Sequence, residues 1–405
     1  MVPTPPDVSM STEAILARLV AYRTVSETSN AELIGWVGAW LGALDAQVEI
    51  VPDDQPGRFG LWARIGPPTA DGIILSAHSD VVPVAGQAWS TDPFELSTHE
   101  GRLYGRGTSD MKGFLACMLT AARLAAQGAA RGEPLARPLH LAISCDEEIG
   151  CVGVRSLLRF LRERQVRAAG CVVGEPTMLS VVTRHKGKIA GRIVCHGVAA
   201  HSANPSKGCN AIGVATRMYA AIEAVQAQMM AQADVPGFEV GHSTAHVGLI
   251  HGGVALNIVP ERCEMRFELR LLPGEDARHW LAQLDARARE VEQAMPGARV
   301  EIAVTNAYPG LSQTHDTAFL NTMQALAHGQ GGSAQDAAAV PPAQPFGAID
   351  FGTEAGLFEE QLGLPVLVCG PGSIARAHKA DEYITREELH AGEAFVARIV
   401  QTLRA

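Results

Sequence analysis

The chain has 405 residues, 47% of them hydrophobic and 19% charged, which is enough for about two or three domains' worth of packed core and too apolar for a disordered chain. Its net charge of -10 argues against a general nucleic-acid binder, which carries a basic face. No run of about eighteen apolar residues appears, so no membrane-spanning helix and no membrane partner is expected. The first seven residues lack the basic and apolar regions of a secretory leader and read as a disordered tail. The eight cysteines form no Cys-x-x-Cys pair, and several sit inside apolar runs. They read as buried free thiols of a cytoplasmic protein.

Apolar residues at helical spacing, Ile15, Leu16, Leu19 and Val20, then Ile34, Val37 and Leu41, predict two helices with a break at 26–30. Strands are expected at about 47–51 and 60–65, and the continuous apolar run from Gly72 predicts a buried strand. A helix is expected from Ser109 to about Ala126, then a strand at 139–145, a helix at 152–164 and a strand at 171–173. This alternation predicts an α/β fold with a mostly parallel sheet covered on both faces.

After His185 the pattern changes. A strand at 188–196, a helix at 210–233, strands at 244–250 and 263–272, a helix at 275–295 and a strand at 298–304 follow in turn. The order β-α-β-β-α-β is the split βαβ, ferredoxin-like arrangement. Its sheet keeps a free edge strand, which predicts a homodimer paired through this domain. From about Pro309 the α/β pattern returns. A helix at 317–327 precedes a low-complexity loop at 329–344, then come a strand at 348–351, a helix at 354–362, a strand at 365–369, the Gly370-Pro-Gly372 turn and a helix from Arg386. The expected organisation is a discontinuous catalytic domain, 1–185 and 306–405, with an inserted ferredoxin-like α+β domain at 186–305.

Five segments in the first of these domains set an acid or a histidine near a strand end: His78-Ser-Asp80, Ser109-Asp110-Met-Lys-Gly113, Asp146-Glu147-Glu148, Gly174-Glu175-Pro and Ala377-His378-Lys-Ala-Asp381-Glu382, whose last two acids are available to support the histidine. Each also has a plain structural reading. His78-x-Asp80 suits a core histidine, Asp110 a helix N-terminal acid, and Glu147-Glu148 a solvated loop. Together, at the carboxyl ends of strands where α/β sheets gather ligands, they suit a pair of zinc-like ions. On a strand, Asp80 shares the face of His78 and can fix its tautomer. Glu147 and Glu148 in extended backbone point apart, so that one can ligate while the other serves as general base.

In this order the motifs resemble the M20 metallopeptidase/deacylase family over nearly the whole chain. Within it, Asn257-Ile-Val-Pro, Gly352-Thr-Glu354-Ala-Gly and Gly370-Pro-Gly372-Ser-Ile-Ala are similar to its acetylornithine deacetylase branch. The resemblance implies that His78 and Glu175 hold one ion and Glu148 and His378 the other. It implies that Asp110 bridges them, that Glu147 is the base, that Asp80 belongs to the catalytic set beside His78, and that the peptide after Asp110 is cis. The metal it implies is zinc, two ions per subunit, with cobalt able to substitute. It makes His201 an oxyanion-side donor reaching the partner subunit's site, and it places Asn257, Arg270, Glu354 and Gly372 at the substrate. Arginine suits bidentate capture of an α-carboxylate. Glu354 or Asp350 could meet a side-chain ammonium. The implied reaction is hydrolysis of an N-acyl amino acid, N2-acetyl-L-ornithine first, as in arginine biosynthesis. Desuccinylases of succinyl-diaminopimelate, aminoacylases and dipeptidases would share the metal site, and a metal-free binding relative would have no need of Glu147.

Overall fold

The computed structural model describes residues 6–68, 71–312, 317–329 and 346–404. Its contacts divide the chain into two compact units, one of residues 1–183, 313–347 and 353–405, the other of 184–312 and 348–352.

The first unit opens with α1 (Thr12–Val20) and α2 (Ala31–Gly42), followed by β1 (Gln47–Pro52), β2 (Phe59–Ile65), β3 (Gly72–His78), β4 (Ser97–His99) and β5 (Arg102–Tyr104). Next come α3 (Lys112–Ala130), β6 (Leu139–Ser144), α4 (Val154–Glu163), β7 (Ala168–Pro176) and β8 (Val182–His185). The second unit holds β9 (Gly187–His196), α5 (Ala211–Met230), β10 (Thr244–Gly252), β11 (Arg262–Leu271), α6 (Ala277–Ala294) and β12 (Arg299–Tyr308). The chain finishes with α7 (Thr317–Ala327), β13 (Gly347–Ile349), α8 (Ala355–Leu362), β14 (Val366–Gly370), β15 (Tyr383–Thr385) and α9 (Arg386–Thr402).

The large sheet runs β1-β2-β6-β3-β7-β14-β8-β13. Its four central strands, β6-β3-β7-β14, pair in parallel, while β1, β2 and β8 join antiparallel. The parallel centre is buried on both faces, which is why β3 opens as a continuous apolar run, Ile73-Ile-Leu75, rather than an alternating one. Leu75 and Ala77 of β3, with Leu141 and Ile143 of β6, join α1, α2, α3 and α9 in one core. The alternate residues Ser76, His78, His140 and Ser144 point to the other face. There α4 packs on β6, α8 on β14, and the two helices on each other.

Helix α3 is long and apolar enough by length and composition to cross a bilayer, which the count of apolar residues missed. It is instead a core helix, with 67% of its apolar window buried, packed on α1, α9 and β3. It approaches β7 so closely that a Cβ on Gly174 would lie 1.8 Å from the Phe114 ring. Helix α9 begins at a capping box, Thr385 with Glu388, which stops the chain fraying where it leaves β15.

The second unit is a four-stranded sheet in the order β10-β11-β9-β12, with every neighbouring pair antiparallel. With α5 and α6 it forms the split βαβ arrangement, and alternate residues of β11 (Cys263, Met265, Phe267, Leu269) face its own apolar core. Strands β10 and β12 are its edges. Three short strands, β4, β5 and β15, form a separate small sheet that the apolar pattern did not foretell. All but Gly329 of the expected 329–344 loop lies outside the described residues.

Candidate metal centre

Four chain segments that leave or end the central parallel strands converge. His78 ends β3, Glu147 and Glu148 follow β6, Glu175 is the next-to-last residue of β7, and the Gly370–Gly372 turn starts at the last residue of β14. Asp110 comes from the loop ahead of α3. The helix begins at Lys112, three residues later than its apolar spacing suggests, so Asp110 is a loop residue and not an acid of the first turn. The Asp110–Met111 peptide is cis.

Two groups of side chains result, each with its ligand atoms within 4.8 Å of one another: His78, Asp110 and Glu175, and Asp110, Glu148 and His378. Asp110 belongs to both. Its Oδ1 lies 3.1 Å from His78 Nε2 and its Oδ2 3.3 Å from His378 Nε2, while His378 Nε2 is 2.9 Å from Glu148 Oε2. Glu147 is in neither group.

The electrostatics show what such a cluster lacks. Burial, and then the charges of Asp110 and Glu147, hold the Glu175 carboxyl well above its usual range. Burial and the neighbouring carboxylates likewise raise Glu147 and Glu148. Burial opposes ionisation of Asp110 too, but its hydrogen bonds with His378 and His78 win and lower it. Acids crowded in a dry site repel one another unless a cation joins them. Two imidazoles and three carboxylates at these spacings fit two zinc-like ions, with one carboxylate shared.

The supports differ from expectation in instructive ways. His78 Nδ1 meets the main-chain oxygen of Asp80 at 2.9 Å, whereas the Asp80 carboxylate is 3.6 Å away. That carboxylate instead accepts from the main-chain N–H groups of Glu147 (3.0 Å) and Glu148 (3.3 Å) and from Ser26 Oγ (2.7 Å). One short segment therefore fixes both the histidine and the acid pair. The pair is not extended backbone. Asp146 is left-handed at φ 50°, and Glu147 O accepts from Gly150 N and Cys151 N in a tight turn. Asp146 itself is anchored away from the pair, to Arg58 Nε at 2.7 Å.

The supporting residues of the second and fifth motifs carry as much of the geometry, and Glu382 holds the Asp110 segment rather than His378. Glu382 is 1% exposed and its Oε1 accepts from Ser109 N (2.9 Å) and Asp110 N (3.0 Å), while its Oε2 takes Arg106 Nη1 at 2.6 Å. The Arg106 guanidinium lies over Trp89. Asp381 faces elsewhere, accepting from Ser90 N and Oγ. Lys112 is fully buried and donates to the Leu19 and Tyr22 carbonyls at and after the end of α1.

The remaining candidates are placed as follows. Glu354 precedes α8, 1% exposed, with no hydrogen-bond partner for Oε1 among the described residues. Burial and the Glu147 charge push its carboxyl up to about 8. Gly372 is left-handed at φ 83°, and a Cβ there would lie 2.6 Å from Ser109 Oγ, so only glycine suits both demands. In the second unit His201 is exposed, its Nδ1 accepts from Ala203 N, and it bridges to Ile258 beside Asn257. Arg270 is half-buried and already engaged, by Glu268 at 2.6 Å and the Tyr308 hydroxyl at 3.3 Å, rather than an exposed strand arginine. Asp350 is paired with Lys186 Nζ at 2.9 Å. All eight cysteines are free and buried.

A family model described as peptidase family M20/M25/M40 matches residues 74–402. The acetylornithine deacetylase of Vibrio vulnificus is 33% identical over 359 residues, covering 88% of this chain and 88% of that one. The acetylornithine deacetylase of Pectobacterium carotovorum is 31% identical over 391 residues, covering 94% and 95%. Among solved structures, an M20 family metallo-carboxypeptidase from Sulfolobus solfataricus aligns with a TM-score of 0.76 at 18% identity, covering 98% of this chain and 100% of that one. A dinuclear metal-binding peptidase of the M20 family from Bacillus subtilis aligns with a TM-score of 0.65 at 16% identity, covering 96% and 98%. At these identities the structural likeness bears on the fold.

Proposed function

The chain belongs to peptidase family M20/M25/M40 and is a metal-dependent amidohydrolase; on that footing we propose that it hydrolyses N2-acetyl-L-ornithine to L-ornithine and acetate. The observation that carries the hydrolytic part is the pair of ligand groups sharing Asp110, with Glu147 beside them and in neither. Support for the substrate comes from relatives named acetylornithine deacetylase along most of the chain.

His78 and Glu175 would hold one ion, Glu148 and His378 the other, with Asp110 between them. Zinc, with cobalt able to substitute, would supply polarisation of the scissile carbonyl and a more acidic water. Glu147 takes the water's proton on its carboxylate and returns it to the leaving amine. Burial and the neighbouring Glu148 and Asp110 carboxylates hold its pKa above the usual range. Asp80 keeps Glu147 and Glu148 in place through their main-chain N–H groups. His201 is the proposed donor to the developing oxyanion, and Asn257 and Arg270 are the proposed partners of the α-carboxylate. Arg270 must then exchange or share its Glu268 contact. For the side-chain ammonium, Glu354, which has no ion-pair partner among the described residues, is favoured over Asp350, which Lys186 already neutralises.

We further propose the division into a catalytic domain and an inserted domain, with a homodimer formed through the latter, in the cytoplasm. Strand β10 is a sheet edge, and Leu249, Ile250, Val254, Leu256 and Ile258 in and after it are exposed, Leu256 completely. Apolar side chains along a free edge are a surface that a second copy would cover. Sedimentation of the wild type beside Leu256→Asp tests this, a monomeric wild type ruling it out.

The substrate reading is tested with a panel of acylated amino acids on zinc-loaded protein. Preference for N2-acetyl-L-ornithine over acetylated neutral amino acids is expected. Equal or greater turnover of a succinylated diamino acid, or of a dipeptide, would replace it with another amidohydrolase.

A further inference from the structure

The turn that presents Glu147 closes on its own side chain. Gly150 N (2.8 Å) and Cys151 N (2.7 Å) both donate to Glu147 O, and Val152 N donates to Asp146 O at 3.1 Å. Cys151 is held left-handed at φ 55°, which turns the chain back towards Glu147. At that closure Cys151 Sγ lies 3.3 Å from Glu147 Oε1, with the thiol 1% exposed. The thiol donates and the Glu147 oxygen accepts. Burial and the adjacent Glu147 charge push its pKa well up, which keeps the hydrogen on sulfur. By contrast Cys117, also fully buried, donates to a main-chain carbonyl, that of Leu389, in the helical layer.

We propose that Cys151 is a positioning residue for the hydrolysis, its S–H holding one oxygen of Glu147 so that the other faces the water. This rests on the reading of Glu147 as the base. A flexible acid side chain beside a turn has several rotamers, and a donor that selects one reduces the reorganisation needed before proton transfer.

The test compares Cys151→Ala, which removes the donor, with Cys151→Ser, which keeps one, on protein loaded with zinc. Metal content and thermal unfolding are followed alongside. For Cys151→Ala, kcat falls by about five- to tenfold with KM within about twofold and two ions still bound, the size expected for one lost hydrogen bond from a weak thiol donor. Cys151→Ser restores kcat to within about threefold of the wild type. The S–H stretching band of Cys151 supplies a readout apart from turnover: it moves to higher frequency in Glu147→Gln, whose amide oxygen is a weaker acceptor. Should Cys151→Ala not fold, Cys151→Gly takes its place with the same expectation, because glycine accepts the left-handed backbone. Equal kcat in wild type and Cys151→Ala, or equal losses in the Ala and Ser variants, overturns the proposal while a dead Glu147→Gln leaves the base reading standing. An active Glu147→Gln removes the base reading and this proposal with it.

Discussion

Replacing Glu382 by alanine tests whether the site is held from behind as the geometry indicates. The substitution removes an ion pair in which both side chains are 1% exposed and frees the Ser109 and Asp110 N–H groups at the same stroke. Breaking a buried pair by deleting one partner costs about 3–5 kcal/mol, because the other charge stays buried and unpaired. Arg106 would keep Gln87 Oε1, the Lys379 carbonyl at 3.2 Å and the face of Trp89, which puts the expectation near the lower end, about 3 kcal/mol. Loss of the Asp110 support should also weaken metal binding by about 10- to 100-fold. Glu382→Gln separates the two effects. Its side-chain oxygen can still accept from both N–H groups, so metal affinity should stay nearer the wild type while stability still falls. Denaturant unfolding of the metal-free proteins gives the first quantity and zinc titration the second. A Glu382→Ala protein within about 1 kcal/mol of wild type, binding zinc as tightly, would refute the reasoning.

Asp80→Ala should lower kcat by about 10- to 100-fold, since it releases the Glu147 and Glu148 N–H groups together; a variant with wild-type kcat would detach Asp80 from the acid pair. Zinc removal by a chelator should abolish turnover and lower the unfolding midpoint. At free zinc 1,000 times its Kd the bound ion contributes about 4 kcal/mol, so an unchanged midpoint would exclude tight binding. His140 should make the fold acid-sensitive. It is buried and its pKa is lowered from 6.5 to about 4, so the unfolded chain binds its proton first as pH falls. Stability is therefore complete above about pH 6.5 and declines towards pH 4, with about 2 kcal/mol lost between pH 7 and pH 5 at this residue. His140→Leu should flatten that part of the stability profile, and an unaltered slope would assign the acid sensitivity elsewhere. Glu354→Gln should narrow the preference for acetylornithine over acetylated neutral amino acids, measured as a ratio of kcat/KM; an unchanged ratio rules out its ammonium role.

Much of this architecture was legible because burial leaves a periodic trace. Strands β3 and β6 are buried on both faces, and the 3.6-residue spacing of α1, α2 and α5 turns one apolar stripe to each core. The candidate ligands His78, Glu148 and Glu175 were legible because each lies at or just past the end of such a strand. What escaped notice was decided by contacts distant in sequence. Strands β4, β5 and β15 have only three residues each, too few for a period to register. The start of α3 was misplaced because the bend at Asp110 is stabilised by Glu382, 272 residues onward. Asp146, which adjoins the acid pair, turned out to serve Arg58, and Asp80 to serve main-chain N–H groups rather than the imidazole. No local pattern distinguishes a carboxylate that holds a loop from one that holds an ion; only the partners do.

The division of labour between Glu147 and Glu148 is the central claim, and it is tested most directly by metal content and turnover measured together on Glu147→Gln. The account predicts two zinc ions still bound and kcat on N2-acetyl-L-ornithine lowered by about 10²- to 10⁴-fold. A variant that loses an ion, or one that keeps both ions and wild-type turnover, would contradict it.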